Sequence, residues 1–388
     1  MIKIIFFLIC NLLILIILEN KPVIINPFYS LNKPILSLSR NNSDILLRGR
    51  RFVDKCMSSQ DINSYNFIKN PKISVVIPLY NCQKTIKQAL FSIQYQSFTD
   101  IEIILINDNS SDNTSKIIKS FYEKDKRIKI INNSKNMGTL YSRSIGVLIS
   151  KGEYIFGLDN DDMYFADDLF EYIYNIGIKE QLDMIGFLTI IIYDYKEDIK
   201  TMKNIYSYQY PDKLFIEQPK LRNWMIEFQG KYILHNNMIW DKCIKSSIYK
   251  SAVALMGLER YSKFLSWAED TSINFIIFNI CSNFKYIHKY GIFHLKSNNT
   301  ASLTQSENSK IFGELFFLDI MLDFSKNITE EKNFVIEQAF YIKNRYNLAI
   351  INDSNFFYLK YILNKIINSK YIKKFNKRKI KKLFNIYV

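Results

Sequence analysis

Histidine and cysteine are both scarce in this 388-residue chain, and their scarcity removes two kinds of chemistry. The three histidines, His235, His288 and His294, are too few and too dispersed for a His-based metal cluster. The five cysteines, Cys10, Cys56, Cys82, Cys243 and Cys281, are odd in number, scattered and without a CxxC pair, so neither a disulfide framework nor a zinc site is indicated. Any metal here should prefer oxygen ligands. The chain has no evident internal repeat. Its 48% apolar and 23% charged residues are those of an ordinary globular protein, which argues against disorder, collagen and a polytopic membrane protein. The length allows two or three compact units and a sizeable core.

Basic residues outnumber acidic ones, 52 against 37, giving +15 and suggesting an acidic partner. The distribution weakens that reading. Residues 370–382 carry eight basic side chains and no acidic one, so the body of the chain is only mildly basic. The apolar positions of that tail, Ile372, Phe375, Ile380 and Leu383, fall at near-helical spacing. They suit a solvated terminal helix or one lying on an anionic membrane. No motif that reads a nucleic-acid groove is present, so nucleic acid is not an expected partner.

Residues 4–18 are apolar apart from Asn11, between Lys3 and Glu19. At about 1.5 Å per residue the run is shorter than a typical bilayer core of about 30 Å. A cleaved signal peptide, a short signal-anchor and a buried helix all stay open, and the absence of a small-x-small cleavage site favours the anchor. Residues 20–70, with Pro22, Pro27 and Pro34, read as a stem or linker. From Pro71 onward, apolar strand-like runs at 73–79, 101–106, 128–131 and 154–158 alternate with helical patterns. Such alternation predicts a mainly parallel sheet with helices on both faces and ligands at the carboxyl ends of the strands. Beyond Asp162 the pattern is mixed, with a helix near 167–176, strands around 184–193 and an amphipathic segment at 271–280. The last eighty or so residues look helical.

The residues with chemical potential lie at those predicted carboxyl ends. Asp159-Asn160-Asp161-Asp162 sets three carboxylates within four positions after a strand. Acids so close raise each other's pKa unless a cation compensates, which suits an oxygen-ligated Mg2+ or Mn2+ shared with substrate phosphates. The competing reading is an acidic turn that caps the next helix. Asp108, after the second strand, is placed to accept a hydrogen bond from a uracil N–H or a ribose hydroxyl, or simply to form an Asx turn. Tyr80 could stack on a nucleobase or belong to the core.

Four ordered pieces resemble glycosyltransferase family 2, the inverting, nucleotide-sugar-dependent enzymes of GT-A fold. They are Ser74-Val75-Val76-Ile77-Pro78-Leu79-Tyr80-Asn81, Ile104-Leu105-Ile106-Asn107-Asp108-Asn109-Ser110-Ser111-Asp112, Asn136-Met137-Gly138 and Gly152-Glu153-Tyr154-Ile155-Phe156-Gly157-Leu158-Asp159-Asn160-Asp161-Asp162. The resemblance implies a Rossmann-like mixed α/β sheet flanked by helices over residues 71–302. A hydrophobic signal-anchor at 1–19 and a stem at 20–70 would precede it, and a helical extension at 303–388 with a basic tail would follow. It implies Pro78, Tyr80, Asp108, Arg143 and Asp159 at the nucleotide. Asp161 would be the direct ligand of a Mn2+ or Mg2+ ion, with Asp159 reaching the ribose or a metal-bound water. Trp267-Ala268-Glu269-Asp270 resembles the family's Glu-Asp motif, which makes Asp270 the expected catalytic base. Lys242 and His294 are candidate phosphate contacts, against plain surface and strand-edge roles.

The family usually has Asp-Asp where this chain has Asn107-Asp108, and Arg-Asn where it has Arg143-Ser144, which leaves base specificity open. The implied activity is hexosyl or N-acetylhexosaminyl transfer from a UDP-sugar to a glycan, lipid or protein acceptor. Its expected setting is a single-pass membrane protein of the secretory pathway (ER or Golgi). The alternative is a family member that binds sugar nucleotide or glycan without turnover, as a partner subunit.

Overall fold

The computed structural model describes residues 58–192, 238–262, 264–265, 267–295, 306–324 and 353–368, the short helix at 51–56, Arg48 and a few two- and three-residue strands. The proposed anchor at 1–19 and the basic tail at 370–382 lie outside these residues. Among the described residues no helix is long and apolar enough to cross a membrane.

Parallel strands β1 (Ile73–Leu79), β2 (Ile101–Asn107), β3 (Ile128–Asn132) and β4 (Tyr154–Gly157) form one half of the sheet, in the order β4-β1-β2-β3. All residues of β1, β2 and β4 are buried, as expected of strands covered on both faces. Helices α1 (Ile86–Gln94), α2 (Thr114–Lys124) and α3 (Thr139–Ile149) make the crossovers. Glu102 is an acid inside β2, and it is fully engaged: Ser74 Oγ donates at 2.6 Å, Lys129 Nζ pairs at 2.5 Å and Lys151 N–H donates as well.

After the short strand β5 (Met163–Tyr164) and helix α4 (Leu169–Glu180) the sheet becomes mixed. Strand β6 (Met184–Ile192) precedes β7 (Phe215–Glu217) and β8 (Lys242–Lys245), and β8 lies antiparallel between β4 and β6. Helices α5 (Ser246–Met256), α6 (Leu258–Tyr261) and α7 (Glu269–Ile280) then lead to β9 (Asn283–Leu295), which runs parallel to β6 and antiparallel to β5 and β7. Helices α8 (Glu307–Phe324) and α9 (Asp353–Asn368) complete the described chain.

Two expectations change. The stem does not extend to residue 70, because Phe52, Val53 and Cys56 are buried in the core and Tyr65 exchanges backbone hydrogen bonds with Lys124 and Lys126. The segment at 271–280 is not amphipathic: residues 271–278 are all buried, since α7 lies between the sheet domain and α8. Within the extension expected at 303–388, the described helix α8 packs directly against α7. Phe317 of α8 meets Phe275 of α7 edge-on at 5.9 Å, and Trp267 Nε1 donates to Glu314 Oε1 at 3.0 Å.

Helix α3 lies close against β1 because Gly146 has no side chain. A Cβ there would sit 2.4 Å from Val76 Cγ1. Gly146→Ala is expected to cost about 1–3 kcal/mol of stability through overpacking, read as a lower urea midpoint at unchanged slope. An unchanged midpoint would show that the approach of α3 is not set by this glycine.

Candidate active site

Because β1 to β4 are parallel, Tyr80, Asp108, Asn133 and Asp159 all follow carboxyl ends of neighbouring strands. The chain order reverses between β1 and β4, and the two part company after the pair Val76–Gly157. A crevice of this kind is where open α/β sheets bind ligands. Pro78 stands beyond that last rung, paired with β2 alone, where its missing N–H is tolerated. Its carbonyl accepts from Asn160 Nδ2 at 3.3 Å. Tyr80 is 49% exposed, so it is not a core tyrosine.

Asp108 is buried and committed. Its Oδ1 accepts from Asn133 Nδ2 at 2.7 Å and from Met137 N–H at 2.8 Å, and its Oδ2 from Gly138 N–H at 2.7 Å. In this arrangement it holds the 136–138 turn, in which Gly138 has φ +88°, and so fixes the start of α3. Asn133 went unnoticed in the sequence, although its place just after the third strand is the signal that pointed to Asp108 and Asp159.

Helix α3 aims Arg143 at the centre of the site. Its side chain is 4% exposed, and its Nη2 donates to Asp159 Oδ1 at 2.7 Å while its Nη1 donates to Asp270 Oδ1. One guanidinium thus joins a carboxylate from the end of β4 to one from the first turn of α7. Burial pushes the Arg143 pKa down, but Asp270 and then Asp159 outweigh it and hold it above its ordinary value. The second oxygen of Asp270 accepts from Ile239 N–H at 3.3 Å. Burial is the main reason that Asp270 titrates above the usual carboxylate range, with Arg143 opposing and Asp159 adding to it. Burial and Asp270 push neighbouring Glu269 up to about 7. Ala268, just before them, sits in the left-handed region at φ +61°, a conformation that costs a non-glycine residue energy and occurs at functional sites.

The three acids after β4 do not form one cluster. Asp159 turns to Arg143. Asp162 is fully buried, with His294 Nδ1 2.6 Å from its Oδ1 and its Oδ2 without a partner among the described residues. Burial pushes Asp162 up to about 7, and the paired carboxylate overcomes burial to lift His294 to about 9. The His294 ring stacks on Trp240 with centroids 5.1 Å apart. It is therefore neither a plain edge residue nor detached from the acidic motif. Asp161 is exposed as a residue, yet its carboxylate lies close enough to the surrounding protein that partial desolvation, and then Asp159, raise its pKa, while its own backbone N–H opposes the shift.

Among the described residues no three His, Cys, Asp or Glu side chains are grouped to hold a metal, because two of the expected three carboxylates face other partners. Asp161 and the second oxygen of Asp159 remain, and they suit Mg2+ or Mn2+, which take one or two protein carboxylates beside phosphate and water. Lys242 departs from expectation. It is fully buried, its Nζ 2.7 Å from Asp241 Oδ1 and donating to the Met238 carbonyl, and burial lowers its pKa. It is an interior ion pair and presents no surface to a phosphate.

The fold and its carboxyl-edge acids define an α/β protein with a ligand crevice between β1 and β4. Residues 74–239 match the family model described as Glycosyl transferase family 2, and this part of the chain is a domain of that family. A Haemophilus influenzae protein named as an uncharacterized glycosyltransferase is 38% identical over 114 residues, 29% of this chain and 45% of that protein. A second one from the same organism is 26% identical over 242 residues, covering 62% of this chain and 70% of that protein. A Campylobacter jejuni relative, named GalNAc(5)-diNAcBac-PP-undecaprenol beta-1,3-glucosyltransferase, is 39% identical over 93 residues, 24% of this chain and 30% of its own. Several of these matches span about half or less of the curated relatives' own length. Staphylococcus aureus TarS 1–349, solved in complex with UDP-GlcNAc, shares the fold with a TM-score of 0.59 at 14% identity, over 81% of this chain and 88% of that one.

Proposed function

We propose that this chain is an inverting glycosyltransferase that moves a sugar from a nucleotide-diphosphate donor, a UDP-sugar, to an acceptor hydroxyl. The observation that carries the reading is the double grip of Arg143, which draws Asp159 of the donor motif and Asp270 of α7 to one point. The names of the matched relatives and the UDP-GlcNAc complex of TarS support the same class of reaction. Asp270 takes the acceptor proton at Oδ2, and the hydroxyl oxygen attacks the anomeric carbon from the face opposite the diphosphate. A base with a pKa lifted toward neutrality keeps more driving force for that transfer than an ordinary carboxylate. A divalent cation bound at Asp161 and Asp159 would offset charge developing on the leaving diphosphate. His294, held protonated by Asp162, adds positive charge beside those acids, and its Nε2 is the ring atom left for a phosphate oxygen. Placement in a membrane rests on residues 4–18 alone and belongs to the same proposal.

UDP with Mn2+ is expected to raise the melting temperature of the wild-type protein, and Asp161→Ala to abolish the Mn2+-dependent part of that shift. A shift of equal size in the variant would remove Asp161 from the metal role. Release of free UDP with a glycosylated product, across a panel of sugar nucleotides, tests the reaction itself.

A further inference from the structure

A cavity of about 920 Å³ lies away from the β1–β4 crevice, walled by Arg48, Arg51, Phe52 and Lys55, the region of α4, Phe215 of β7 and residues 285–290. Those last residues belong to the first half of β9, in register with the first residues of β6. The carboxylates described above follow the opposite ends of the parallel strands. The volume falls in the range that accommodates a drug-sized ligand.

Three kinds of side chain converge there from distant parts of the sequence. Among the described residues, five Lys and Arg side chains line the cavity against Asp167 and Asp168; Arg48 pairs with Asp167 at 3.1 Å and Lys285 with Glu180 at 2.6 Å, which leaves Arg51 and Lys55 without an ion-pair partner among the described residues. Lys55 Nζ lies 4.1 Å from the centre of the Tyr95 ring, and Lys289 Nζ lies 5.1 Å from that of Tyr172 and 2.8 Å from Asp168. Tyr172 and Phe215 are 46% and 49% exposed, so large ring faces are available beside the cations.

Each group narrows the ligand. Arg51 and Lys55, the two cations left over, call for an anion. Exposed aromatic faces call for flat, weakly polar surfaces to stack on. Asp167 and Asp168, paired on one oxygen with Arg48 and Lys289, keep lone pairs for hydroxyl groups, and carboxylates inside the cavity suit spaced anionic groups better than an unbroken run of phosphates, which disfavours nucleic acid. A chain of sugar rings carrying acidic substituents meets all three conditions: ring faces on the aromatics, hydroxyls to the carboxylates, acidic groups to Lys and Arg.

We propose that this cavity is a second binding site, separate from the transfer site, that holds an acidic oligosaccharide, with Arg51 and Lys55 taking its anionic groups and Tyr172 stacking on a ring. The site is read from its own lining, so it stands or falls independently of the transfer reaction.

The test is calorimetric titration of the full chain with a hyaluronan octasaccharide, with maltooctaose, a short single-stranded RNA and phosphatidylcholine–phosphatidylserine vesicles in parallel. The hyaluronan fragment is expected to bind and maltooctaose to bind at least about tenfold more weakly. Arg51→Glu/Lys55→Glu should weaken the hyaluronan fragment by about tenfold or more, and Tyr172→Ala should weaken it with less change in salt dependence. All three side chains are exposed, so the variants should keep the wild-type melting temperature and its UDP-dependent shift. The proposal is overturned if the hyaluronan fragment does not bind, or binds the double variant as well as wild type. It is also overturned if RNA or vesicles bind more tightly than the saccharide and lose that binding with the same substitutions.

Discussion

Asp270→Asn is expected to lower sugar transfer by about 10^2–10^4-fold while leaving UDP binding in place. The amide keeps the shape of the carboxylate and can still accept a hydrogen bond from Arg143, so the site should survive the exchange. What it loses is the ability to take a proton. The pH profile provides the finer check. Since Asp270 titrates above the ordinary carboxylate range, wild-type transfer should climb with pH along a limb set by that raised value, and the Asn variant should lack the limb. The effect on stability has the opposite sign. A carboxyl whose pKa is raised by folding contributes stability that is present below its unfolded value and lost as pH rises through its folded value. For Glu269 that window runs from about 4.5 to about 7, so the folded state should weaken across it. Normal turnover by Asp270→Asn would end the assignment of the base, and retained nucleotide binding without turnover in the wild type would favour the binding-only alternative.

Arg143→Met is expected to be the most damaging single change to the folded state, costing about 3–5 kcal/mol in chemical denaturation, because it strips a buried ion cluster of its cation. Asp159, Glu269 and Asp270 would remain without the guanidinium that now offsets them. The loss should shrink in acid, where Glu269 and Asp270, both raised above the ordinary carboxylate range, take up protons. Arg143→Lys should recover only part of it, since a single ammonium cannot span both carboxylates as the planar fork does. Nucleotide-dependent thermal shift should fall in both variants. A Met variant as stable as wild type at neutral pH would mean that the two acids do not depend on Arg143.

Local patterns in the chain made the parallel half of the sheet legible, because β1, β2 and β4 are short apolar runs separated by helical periodicity and ended by polar turns. The same edge logic located Asp108, Asp159 and Asp161. Long-range partners were not legible. Asp162 finds His294 across 132 positions, and Arg143 finds Asp270 across 127. Such pairings arise from how β9 and α7 dock, which no local spacing records. Lys242 shows the same limit: a lysine reads as surface from sequence, and partners such as the neighbouring Asp241 and the Met238 carbonyl let it stay buried. The reach of the folded unit before residue 71 was hidden for a related reason, since Phe52, Val53 and Cys56 sit at helical spacing in a stretch too short for a period to stand out, and what they pack against lies far along the chain.

The close seat of α8 has a practical consequence. A Cβ on Gly313 would meet the Trp267 carbonyl at 2.2 Å, and Glu314 in the next position grips the indole of that same tryptophan. The turn that launches Asp270 is thus braced by a helix lying wholly outside the family-matched segment. In a mutational screen scored on product alone, lesions in that helix would masquerade as lesions of the proposed proton acceptor, and only a separate assay of folding would tell them apart.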